Sequence, residues 1–155
     1  MSYVIAGLDP EPFRRLYGLS DHALAAEHVV RMTADGKPGF PCRVTLEDAE
    51  PGEALLLLNY EYLPDAGPYR ARHAIFVREG AETPARYADA IPEQLATRLL
   101  SVRAFDRDAM MTDADVVDGS VLAPLIETMF ADPAVAYLHI HNAKRGCFAA
   151  RVDRG

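Results

Sequence analysis

The sequence predicts an α+β domain, a largely antiparallel sheet with helices packed on one side, and three observations carry that prediction. Helical spacing is confined to the two ends of the chain. Between them lies a succession of short β-branched and aromatic runs separated by Gly, Pro and Asp, and after the last helical pattern the chain finishes in a hairpin. Runs of strands flanked by helices, without regular alternation of the two, favour an antiparallel sheet over a parallel one. At 155 residues the chain suits one domain, residues 1–155, large enough to bury a core without metal or disulfide staples.

The elements follow in order. Ser2 to Gly7 is a strand, and Asp9 caps a helix whose first turn accepts Pro10 and Pro12, since the first N–H groups of a helix lack intrahelical partners. Phe13, Leu16 and Tyr17 form its buried stripe. Gly18 stops it, and Ser20 caps a second helix through Ala26. His28 to Thr33 reads as a strand ending at the turn Asp35 to Gly39. In the next segment, Phe40 to Leu46, Cys42 reads as a semi-buried structural cysteine beside Arg43.

Ala54 to Tyr60 is the most apolar run and suits a central strand buried on both faces. Another strand spans Tyr69 to Glu79 and is entered through Arg70 and Arg72; Gly80 to Pro92 is a polar connection. Pro92 to Ala96 makes a helical turn before a strand in Thr97 to Phe105. Asp106, Asp108, Asp113, Asp115 and Asp118 crowd one segment, yet their spacing lacks the glycine and distal glutamate of a calcium loop, so turn and capping roles are expected. From Ser120 onward Leu122, Leu125, Ile126, Met129 and Phe130 recur at helical steps, until Asp132-Pro133 ends the helix.

In the terminal hairpin Tyr137, His139 and His141 alternate with Ala136, Leu138 and Ile140, so the apolar set faces the core and the histidines face away. Asn142 to Gly146 is the connection. Two registers fit. One places His141 opposite Cys147, His139 opposite Ala149 and Tyr137 opposite Arg151; it is preferred because it keeps Ile140/Phe148 and Leu138/Ala150 on one apolar face. The other places Asn142 opposite Cys147 across the loop Ala143 to Gly146, and pairs His141 with Phe148.

Half of the residues are hydrophobic and a quarter charged, which excludes disordered and fibrous classes. The 23 acidic against 16 basic residues give a net charge of −7, which argues against nucleic acid or an anionic membrane as a general partner. No stretch approaches the roughly 20 apolar residues needed to span a bilayer, and the start lacks the pattern of a signal peptide. A cytoplasmic location with two reduced thiols, Cys42 and Cys147, is therefore expected.

Several segments resemble an uncharacterised bacterial family, the domain of unknown function 1203 family: Lys37 to Arg43, Leu57 to Tyr60, Pro68 to Arg70 with Ile75 to Val77, Met110 to Gly119, and Tyr137 to Cys147. The resemblance spans nearly the whole chain. It implies a small stand-alone bacterial protein and brings no substrate, cofactor or catalytic residue with it.

Three chemistries fit the residues. His139 and His141 lie on one strand face and would chelate a transition metal if Cys147, His73 or Glu79 supplied a third ligand. Cys147 or Cys42 beside a histidine base would make a nucleophile, with His139, His141 and Cys147 as the catalytic candidates. Arg43, Arg70, Arg72, Lys144 and Arg145 would line a pocket for a small anion, since guanidinium groups match carboxylates and phosphates. No serine-nucleophile elbow, dinucleotide-binding loop or phosphate-binding loop is present, and no cofactor is indicated. The leading expectation is a small anionic ligand bound in a cleft beside the hairpin, with or without catalysis. A non-catalytic protein-interaction domain and a metal-binding protein are the alternatives.

Overall fold

The computed structural model describes residues 2–155. In chain order its strands are β1 (Tyr3–Ala6), β2 (Val30–Thr33), β3 (Ala54–Leu63), β4 (Ala71–Arg78), β5 (Arg86–Ala88), β6 (Leu99–Phe105), β7 (Met111–Asp118), β8 (Tyr137–Asn142) and β9 (Phe148–Arg154). Its helices are α1 (Glu11–Arg14), α2 (Asp21–Ala26), α3 (Glu93–Ala96) and α4 (Leu122–Phe130). The architecture is α+β, with antiparallel pairing in both sheets. The strands form two sheets, a larger one in the order β5-β1-β9-β8-β6-β7 and a smaller one in the order β2-β3-β4. No helix among the described residues is long and apolar enough to cross a membrane.

Periodicity explains how the layers assemble. Leu138 and Ile140 of β8 point the same way as Leu100 and Val102 of β6, and this face receives Leu122, Ile126, Met129 and Phe130 of α4. Those four helical residues recur at three- and four-residue steps, which puts them on one stripe. On the smaller sheet, Leu56 and Leu58 of β3 join Ile75 and Val77 of β4 in a core with Phe13, Leu16 and Leu24 from the α1–α2 region. Ser20 caps α2 as the sequence predicts, its Oγ accepting from Ala23 N at 3.1 Å, whereas the N-cap of α1 is Pro10, and Asp9, one residue before it, accepts from Glu11 N at 3.0 Å.

The irregular segment 40–49 ties the two sheets together. Arg43 N donates to Phe76 O on β4 at 3.0 Å, while Leu8 N donates to Arg43 O and Ala85 N to Val44 O, both at 2.8 Å. Gly7 makes this crossing possible, for a Cβ on it would lie 1.9 Å from Val44 O.

Three expectations are corrected. The aspartate-rich segment is a turn only at its ends; its middle is β7, an edge strand whose side chains are solvated, so the aspartates incur no burial cost there. The connection after Gly80 contains β5, too short at three residues to show a pattern. The hairpin does not adopt the preferred register. Asn142 N donates to Cys147 O at 2.9 Å across Ala143 to Gly146, where Gly146 has φ +77, and His141 pairs with Phe148. A bulge at Ala149 then shifts the ladder, so that Ile140 faces Ala150, His139 faces Arg151 and Tyr137 faces Asp153. The bulge reconciles a four-residue loop with an apolar inner face, which neither simple register achieves.

Candidate functional site

The histidine face of β8 is covered. His139 is 2% and His141 0% exposed, because β3 of the smaller sheet crosses over them. Tyr62 stacks on Phe148 with ring centroids 5.4 Å apart and meets His141 edge-on at 4.9 Å, while Phe105, Tyr137 and Phe148 surround His139 at 5.1–5.2 Å. Such edge and offset contacts are the favoured aromatic geometry, and a neutral imidazole serves in them as another ring.

Both rings are neutral. Burial, reinforced by His141 and Arg151, lowers His139 to about 3. Burial likewise lowers His141 to about 4, opposed by its bond to Gly146 O and helped by Arg103. The partners define the His141 tautomer: Nδ1–H donates to Gly146 O at 3.0 Å and Nε2 accepts from Arg103 Nη1 at 3.4 Å. His139 Nδ1 is buried without a partner among the described residues.

The cavity lies beyond this aromatic layer. It encloses about 630 Å³ between the hairpin loop, the smaller sheet and segment 40–43, a size usual for small-molecule sites. One wall is apolar, from Met32, Phe40, Leu57, Ile75, Phe76 and Leu99. Arg43, Arg98, Lys144, Arg145, His73, Thr97, Asn142 and Cys147 supply its polar groups, and among the described residues no carboxylate lines it. Arg98 is occupied, held by Asp48 at 2.8 and 3.1 Å and by Gln94 O at 2.7 Å. Lys144 and Arg145 project from the exposed hairpin loop.

Arg43 is unusual. It is 1% exposed, and among the described residues its nitrogens bond to neutral groups: Nε donates to Phe148 O at 2.7 Å and Nη1 to Pro41 O at 2.6 Å. Burial pushes the guanidinium below its ordinary value, and the nearby Cys147 side chain offsets part of that. Taking a cation out of water costs several kcal/mol unless an opposite charge or good hydrogen bonds offset it. Two carbonyls offset part of that cost, and an anion in the cavity would supply the counter-charge. Beside it, Asn142 Nδ2 donates to Cys147 Sγ at 3.4 Å, leaving Asn142 Oδ1 buried and without a partner among the described residues.

Of the residues singled out by sequence, Arg43, His73, Lys144, Arg145 and Cys147 converge on the cavity. Arg70 and Arg72 lie outside its lining, exposed at the start of β4, where Arg70 pairs with Glu61 at 3.1 Å and Arg72 donates to Asn59 Oδ1 at 2.5 Å. His139 and His141 are also outside it. Their centroids are 6.4 Å apart, and Glu79 is engaged by Arg31 and by Gly18 N. Among the described residues no three His, Cys, Asp or Glu side chains form a ligand set for a metal, so the metal alternative lacks its third ligand. Cys42 is buried and accepts from Arg78 N at 3.2 Å, as a structural thiol would. Asn142 and Arg98 were missed as site residues, Arg98 because its pairing with Asp48 joins segments about fifty residues apart.

Fold and site together define an α+β protein with a cation-lined cavity at a hairpin end. Residues 39–154 match the family described as "Protein of unknown function (DUF1203)", and the chain belongs to that family. No curated protein and no solved structure matches the chain.

Proposed function

We propose that the protein binds a small organic acid in this cavity, its anionic group against Arg43, Lys144 and Arg145 and its apolar part against Phe40, Leu57 and Phe76. The observation that carries the reading is a fully buried guanidinium with no carboxylate partner on the wall of a cavity that contains no acid. The mixed lining favours an acid with a short hydrocarbon body over inorganic phosphate, since half of the wall has nothing to offer a bare oxyanion. A bacterial, cytoplasmic setting accords with the family resemblance and with two free cysteines. The overall acidic charge disfavours nucleic acid as the ligand.

Calorimetry with a graded set of carboxylates, from acetate through hexanoate, alongside inorganic phosphate tests the proposal. Affinity should rise with chain length and then fall as the cavity fills. The double variant Lys144→Ala with Arg145→Ala should weaken binding at least about tenfold, the scale of one lost charge-assisted hydrogen bond. Arg70→Ala with Arg72→Ala, outside the cavity, should not. Absence of binding across the set, or equal binding by the loop variant, would overturn the reading.

A further inference from the structure

We propose that Cys147 is a nucleophile acting on the acid held in this cavity, bonding to an electrophilic carbon next to the ligand's anionic group. The inference rests on the binding reading above and adds reaction chemistry to it. Cys147 and Cys42 are both buried, but only Cys147 lies on the cavity wall. The Asn142 side-chain amide donates to its sulfur at 3.4 Å, and the Arg43 guanidinium lines the same cavity, bonded to the carbonyl of the next residue, Phe148. The donor to Cys42, by contrast, is a backbone N–H, that of Arg78 on β4. Both side chains also carry costs that an apolar corner would avoid: among the described residues Arg43 is a buried charge without a counter-ion, and Asn142 Oδ1 is a buried acceptor without a donor. A bound acid relieves the first, and a hydroxyl on it relieves the second.

Geometry narrows the substrate class. Because Arg43 and Cys147 share the cavity wall, and Arg43 Nε donates at 2.7 Å to the carbonyl of Phe148, the residue after Cys147, an anionic group seated on Arg43 brings the carbon beside it toward Sγ. A 2-oxo acid has an electrophilic carbon at that position. Sulfur would add to C2, the π electrons of the carbonyl would move to its oxygen, and the thiol proton would end on that oxygen. The product is a hemithioketal, formed reversibly with no co-reactant and carrying the hydroxyl that Asn142 Oδ1 lacks.

Iodoacetate is the probe, since it joins a carboxylate to an electrophilic carbon; sulfur displaces iodide and the thiol proton passes to solvent. Alkylation of the folded protein by iodoacetate and by neutral iodoacetamide would be followed by intact mass, with peptide mapping to separate Cys147 from Cys42. Cys147 should be labelled and Cys42 spared. The iodoacetate-to-iodoacetamide rate ratio at Cys147 should exceed that of the urea-unfolded chain by about tenfold or more, the worth of one charge-assisted contact. Lys144→Ala with Arg145→Ala should return it toward the unfolded value, and pyruvate should protect. An unlabelled Cys147, or an unchanged ratio, in protein that still binds carboxylates would refute the nucleophile and leave the binding reading standing. No carboxylate binding together with an unchanged ratio would remove both.

Discussion

His139 and His141 couple the fold to pH. Their neutral forms are held in the folded state at about 3 and about 4, against 6.5 as the reference. The unfolded chain therefore takes up protons first as pH falls. Their contribution is fully present above pH 6.5 and is lost as pH drops below it toward the folded values. At pH 5 each costs about 2 kcal/mol, since 1.5 pKa units at 1.36 kcal/mol each separate that pH from the reference. Urea denaturation at pH 7.5 and pH 5 should show a decline of several kcal/mol, and His139→Phe, which keeps a ring in the aromatic box, should remove about half of it. An undiminished decline in that variant would show that His139 is not the source. At this scale the sequence was only partly legible. Alternation correctly put Leu138 and Ile140 in the core, but a histidine is polar in water and aromatic under cover, and nothing local announces that Tyr62 will cover it. Arg43 misled in the same way, being a charged residue that is among the most buried in the chain.

Elements behave differently at the centre and at the edge of the larger sheet. β8 is central and buried on both faces, whereas β7 is an edge with one unpaired side. Ala143 N donates to Leu99 O on the β8 side, so odd-numbered backbone groups of β6 turn toward β8 and even-numbered ones toward β7. Their β7 partners Asp113, Asp115 and Val117 bond inward, which leaves the N–H groups of Ala114 and Val116 on the open edge. Those two donate at 2.8 Å to the side chains of Asp113 and Asp115. The aspartates thus occupy the donors that another strand would seek, while their charges repel one. Replacing both with valine should leave the monomer folded and raise self-association, measured by sedimentation velocity; a double variant that stays monomeric at high concentration would contradict this role. The acidic cluster was visible in sequence, but its meaning depends on which strand ends the sheet. Loop length and bulge at Ala149 were similarly undetermined, because two registers satisfied the pattern and only the packing of β9 between β1 and β8 selects one.

Across the whole molecule, two sheets from different parts of the chain keep main cores of their own, and the connections between them are not confined to a single surface. Segment 40–49 hydrogen-bonds to β4 through Phe76 and to the chain after β1 through Leu8, while Arg43 reaches Phe148 O on the hairpin. Tyr60 and Tyr62 of β3 contact Phe148 of β9, and Gly7 admits Val44 O where any side chain would clash. Sequence composition sufficed for the α+β class, since strand runs and turn residues are local properties, but the division into two sheets depends on pairings between distant residues. These links predict that neither sheet is stable alone. Equilibrium urea unfolding followed by far-UV circular dichroism and by tyrosine fluorescence, the chain having seven tyrosines and no tryptophan, should give coincident single transitions. Phe148→Ala, which removes the ring touching Tyr60, Tyr62 and both histidines, should shift the two curves together by about 3–5 kcal/mol. A variant in which one probe moves ahead of the other would show that the smaller sheet unfolds as a unit of its own, and that the cavity between the sheets opens without loss of the larger one.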